Sequence, residues 1–92
     1  MDEKTIEQHV CDYAKASGCL VLKLNVKGQV GWPDRLFIYQ GKVLMIEFKR
    51  PGQIPTPIQQ YVHNQLKGAG AQVEVVDNVA QGKEIIDVFS DN

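Results

Sequence analysis

The sequence predicts a mixed α/β fold, a β-sheet flanked by helices with its elements in the order αβββαβα. Three observations carry this prediction. Apolar residues follow a helical period near each end and in the middle of the chain, with short apolar runs of strand length between them. Glycine, proline and threonine fall where helices should start or stop. One tight turn, Gln40-Gly41, separates two runs rich in β-branched and aromatic residues. Residues 1–92 are read as one domain, because a chain of 92 residues leaves little room for a second.

Residues 2–17 read as the first helix: Ile6, Val10, Tyr13 and Ala14 share a stripe, and Gly18 is placed to end it. Glu7 borders that stripe, since Cys11 and Ala14 lie four and seven residues on, so it faces the core edge. Residues 19–24 form a short apolar strand, followed by a loop over 25–33 with two glycines, a proline and the only tryptophan. Residues 34–39 and 43–49 are the arms of a hairpin across Gln40-Gly41-Lys42. Thr56-Pro57 supplies an N-cap and a first-turn proline for a helix through Ile58, Val62 and Leu66 that ends near Gly68–Gly70. Residues 72–76 make a fourth strand and 79–89 a last helix, in which Gly82 is a weak helix former.

Composition narrows the function classes. With 43% hydrophobic and 23% charged residues the chain is ordinary for a globular protein. No apolar run approaches the roughly 20 residues of a membrane span, and Met-Asp-Glu-Lys has no signal-peptide character. Two cysteines, Cys11 and Cys19, lack CxxC spacing, so a disulfide framework or zinc site is not expected and a cytoplasmic setting is. The net charge of −1 conceals an asymmetry. Residues 20–70 carry seven basic residues against two acids, Asp34 and Glu47, while the remainder has three bases and nine acids. A basic middle suits a polyanion.

Those two acids meet in the hairpin. If Gln40-Gly41 is a two-residue loop, Tyr39 pairs with Lys42 and Asp34 falls opposite Glu47 on one face. Strand alternation adds Lys49 to that face and sends Leu44, Ile46 and Phe48 to the other. A three-residue loop would put Asp34 on the wrong face unless a bulge corrected it. Like charges facing each other in a sheet repel, so something must offset them. A divalent metal is one candidate; a structural network with Lys49 and Arg35 is the other. Two oxygen ligands without His or Cys suit Mg²⁺. Such an ion with a lysine beside it would serve hydrolysis of a phosphodiester.

In these residues the sequence resembles a known family. Gly31-Trp32-Pro33-Asp34 followed by Glu47-Phe48-Lys49 is similar to the PD-(D/E)xK nuclease signature. With Glu7, Gln59 and Gly68-Ala69-Gly70 added, the pattern resembles the virus-type replication-repair nuclease (VRR-NUC) family from roughly Glu7 to Val76. The resemblance implies a restriction-endonuclease-like fold. It also implies Mg²⁺ or Mn²⁺ held by Asp34, Glu47 and the backbone carbonyl of Phe48, with Glu7 near a second metal or water. Lys49 would be the catalytic lysine and Gln59, rather than its neighbour Gln60, would support the site.

It further implies a homodimeric Holliday-junction-type resolvase of phage or bacterial origin, acting on branched DNA. Flap cleavage without junction preference, a non-catalytic nucleic-acid-binding module and a base-specific restriction enzyme are the alternatives. Lys23, Lys27, Arg35 and Arg50 are candidate phosphate contacts, and Trp32 stacks on a base or props the turn. His9 and His63 lie on predicted helices without ligand spacing and are read as ordinary surface or partly buried residues.

Overall fold

The computed structural model describes Met1–Asp91. Its elements are α1 (Glu3–Ala16), β1 (Leu20–Lys23), β2 (Arg35–Tyr39), β3 (Lys42–Phe48), α2 (Pro57–Gly68), β4 (Gln72–Val76) and α3 (Val79–Phe89). The predicted order αβββαβα is the observed one.

The strands lie in the order β1-β2-β3-β4. β2 runs antiparallel to both β1 and β3, whereas β4 is parallel to β3. The parallel pair requires a crossover, and α2 supplies it. α1 and α3 pack together over the opposite face from α2. There, alternate strand residues Phe37, Leu44, Ile46, Phe48 and Val76 meet Ile6, Val10, Ala14, Ile86 and Phe89 in one buried core. The strand alternation thus reappears as two environments: apolar beneath α1 and α3, mixed beneath α2.

Local chemistry fixes the ends of these elements. Asp2 caps α1, its carboxylate accepting from the Thr5 N–H at 2.8 Å. Thr56 and Gln59 form a reciprocal capping box at the start of α2. Gln40 and Gly41 both have positive φ, 47° and 80°, the type I′ geometry that matches the twist of a hairpin. Tyr39 therefore pairs with Lys42 and Arg35 with Ile46, as a two-residue loop demands. Gly82, a weak helix former by sequence, is buried where α3 crosses α1. A Cβ there would collide with Val10 and lie 3.2 Å from Val76 Cγ1, so glycine sets how closely the helices approach.

A candidate active site at the end of the central strands

Asp34 departs from the idealised ladder. The regular pairing ends at Arg35–Ile46, and the Asp34 N–H donates to the Ile46 carbonyl at 3.0 Å. Arg35 and Asp34 thus both address Ile46, which places Asp34 at a bulge-like end of β2 rather than in register opposite Glu47. Its side chain still turns toward β3, where Oδ2 accepts from the Phe48 N–H at 2.8 Å. The preceding turn is held against α2. Gly31 has φ +83°, and a Cβ on it would lie 2.8 Å from the Ile58 carbonyl oxygen.

Glu47, on the α2 side of β3, is only 3% exposed. Asp34 lies close enough to hydrogen-bond with it when one of the two is protonated. Gln59 Nε2 donates to Glu47 Oε2 at 3.3 Å, and Lys49 Nζ stands 3.8 Å from the same oxygen. Gln60 instead turns back to the Pro55 carbonyl, so of the two glutamines Gln59 is the one that reaches Glu47. Gln59 Oε1 accepts from the Thr56 N–H, so one side chain both caps α2 and steadies the acid.

Both carboxyls are raised from their ordinary values, Glu47 to about 8. Burial is the main cause in each. For Glu47 the adjacent Asp34 charge is next, with Lys49 opposing it. For Asp34 the Phe48 N–H opposes the rise, and Glu7 and Glu3 reinforce it. Glu47 Oε1 is buried and has no hydrogen-bond partner. Two crowded, desolvated carboxyls with an unsatisfied oxygen match the needs of a hard divalent cation, so the donor set fits Mg²⁺ or Mn²⁺. Among the described residues, no three His, Cys, Asp or Glu side chains converge on one point. A cation held here would take its remaining ligands from backbone carbonyl or water.

Glu7 is engaged elsewhere. Its Oε2 accepts from Arg35 Nε at 2.5 Å, on the α1 side of the sheet. This ties up the Arg35 side chain expected to meet phosphate. Lys23, paired with Arg35 in the β1–β2 ladder, shares a surface depression with Lys4, Glu7 and Arg35. Lys27 and Arg50 are exposed. Lys42, counted in the basic middle, donates to the Phe89 carbonyl at 2.6 Å and lies over the Tyr39 and Phe89 rings. Trp32 borders a cleft with Val62, Gln65 and Leu66 of α2.

Two residues near the acids were not legible as site residues. Glu3, one helical turn before Glu7, raises the carboxyls of Asp34 and Glu47 through its charge. His63, expected at the surface or only partly buried, is 4% exposed and points at Glu47, with Nε2 3.7 Å from Oε1. The signal for it was its spacing: His63 follows Gln59 by four residues, so both lie on one face of α2.

No family model matches the chain. It is similar to "Putative nuclease p44" of Acyrthosiphon pisum secondary endosymbiont phage 1, with 38% identity over 77 residues, 83% of this chain and 83% of that protein. Among solved structures it is similar to one described as "VRR_NUC domain", with a TM-score of 0.86 and 31% identity over 92% of this chain and 94% of that one. The chain belongs to the VRR-NUC family of nucleases. The restriction-endonuclease-like sheet of the VRR-NUC fold accounts for the placement of the acids. Hairpin and crossover meet at β3, and Asp34, Glu47, Lys49 and Gln59 are brought together at the end of that strand.

Proposed function

We propose that this VRR-NUC chain is a divalent-cation-dependent endonuclease that hydrolyses phosphodiester bonds in branched DNA, acting as a homodimeric Holliday-junction-type resolvase. The observation that carries the reading is the pair of crowded carboxyls, buried Glu47 and half-buried Asp34, set beside Lys49 with one carboxylate oxygen unsatisfied. Asp34, Glu47 and the Phe48 carbonyl would hold Mg²⁺ or Mn²⁺. When bound, the ion activates water and draws charge from a phosphate oxygen.

The chain's own groups do the rest. Asp34 is fixed by the Phe48 N–H, and Gln59 restrains Glu47, so both acids are oriented before substrate arrives. Lys49, partly buried beside Glu47, is placed to orient the attacking water and to balance charge on the phosphate. Glu7 with Arg35 forms a flanking ion pair near a second metal or water position. Exposed Lys23, Lys27 and Arg50 supply phosphate contacts, and their charge draws the duplex arms to the site.

A four-way junction needs two symmetric cuts, and each chain carries one set of acids, which favours a two-fold dimer. α2 covers β3 and β4, so the same face of β1 and β2 is left partly bare. Leu20 (57%) and Leu22 (45%) are exposed there. A second copy would bury this apolar surface. The phage origin of the relative fits action in the cytoplasm of an infected cell.

The test is incision of end-labelled four-way junction, flap, splayed-arm and linear duplex substrates with Mg²⁺, Mn²⁺ or EDTA. Paired cuts in the junction that need the ion, and that Asp34→Ala, Glu47→Ala and Lys49→Ala each abolish while junction binding persists, are expected. Undiminished cutting by these variants overturns the site. A fixed cut sequence in linear duplex would favour a restriction enzyme, and equal cutting of flaps would remove the junction preference.

A further inference from the structure

We propose that His63 is a positioning residue for Glu47: its Nε2–H restrains the Glu47 oxygen that Gln59 and Lys49 leave free, and so strengthens cation binding by the acid pair. This inference rests on the cation reading of the site. His63 Nε2 and Glu47 Oε1 are both buried, neither has a hydrogen-bond partner, and they face each other at 3.7 Å. Two unsatisfied polar atoms in one enclosed space are each costly alone, and a shift of under about 1 Å would make them partners.

The other oxygen, Oε2, is already approached by Gln59 at 3.3 Å and Lys49 at 3.8 Å. A donor at Oε1 would fix the rotation of the carboxylate about its last bond. That matters when Glu47 is ionised, because the hydrogen bond is then charge-assisted. A carboxylate has lone pairs for Gln59, His63 and a cation together. The helix makes this economical: Gln59 and His63 are four residues apart on α2, so one rigid face grips both oxygens.

The experiment compares His63→Gln with His63→Met, side chains of similar length of which only the first carries a donor. Mn²⁺ binding to the DNA-free protein is measured by titration calorimetry, with wild type and Glu47→Gln alongside. Wild type should bind the ion and Glu47→Gln should not; absence of binding by wild type would overturn the cation reading itself. Given binding by wild type, His63→Met should weaken it on the order of tenfold and His63→Gln should stay near wild type. Equal affinities for the two His63 variants overturn the positioning role. In wild type, nitrogen-15 spectra of the imidazole should show Nε2 protonated with Mg²⁺ present. An unprotonated Nε2 in that state overturns the proposal without any variant.

Discussion

Glu47 is the residue on which burial, charge and chemistry compete most directly. Its pKa is raised from the ordinary 4.5, first by burial and then by Asp34, so the folded protein holds a proton that the unfolded chain releases. A raised pKa in the folded state stabilises below the unfolded value, and that contribution is lost as pH climbs through the folded value. In EDTA, thermal unfolding should therefore show stability falling as pH rises from about 4.5 to about 8, by several kcal/mol in total. Glu47→Gln should flatten this slope and lose any stabilisation by Mg²⁺. A wild-type profile that is flat, or that rises with pH, would contradict the crowding of the two acids. Gln59 shows the same economy at residue scale, since its amide serves a helix cap and a carboxylate at once.

Two elements owe their geometry to single residues in demanding positions. The β2–β3 turn places Gln40 at φ 47°, a conformation that asparagine adopts more readily. Gln40→Asn should therefore raise stability by about 0.5–1 kcal/mol, read as a higher denaturation midpoint with an unchanged slope. A loss of stability would argue against the I′ turn and, with it, the register that carries Asp34 to Glu47. In α3 the opposite logic applies. Alanine is the better helix former, but at Gly82 its Cβ would enter Val10, so Gly82→Ala should destabilise by about 1–3 kcal/mol. If Gly82→Ala stabilised the protein, the close α1–α3 crossing would be wrong.

At the scale of the whole molecule, the two faces of the sheet are unequally covered. α1 and α3 enclose one face, while α2 covers only the β3–β4 half of the other. Leu20 and Leu22 lie on the part left bare, in ladder with Ile38 and Leu36. Leu22→Glu should convert a dimer to monomer by light scattering, because a charge at that face opposes burial. The monomer should still bind Mn²⁺, since no ligand of the site lies on β1. A wild-type protein that is monomeric at every concentration would remove this face as a dimer surface. Charge is likewise distributed by the tertiary structure. The basic middle is partly consumed within the fold, Arg35 by Glu7 and Lys42 by the Phe89 carbonyl, whereas Lys23, Lys27 and Arg50 stay exposed. No helix among the described residues is long and apolar enough to cross a membrane.

Much of this was present in the order of residues alone. Periodicity and punctuation predict every element to within about two residues, because local pattern and capping chemistry act over short separations. The parity of a two-residue turn gives the register from Tyr39–Lys42 to Arg35–Ile46 and puts Glu47 and Lys49 on one side of β3, since strand alternation follows from backbone geometry. Three things needed the tertiary structure. Asp34 leaves the ladder at a bulge and is held by the Phe48 N–H, a detail set by how the Gly31–Asp34 turn packs on α2. Glu7 is bound to Arg35, because α1 lies on the sheet face to which Arg35 points. His63 becomes a neighbour of Glu47 only when the crossover lays α2 over β3. Sequence spacing records which side chains share an element's face; which faces then meet is decided by the burial of the whole core.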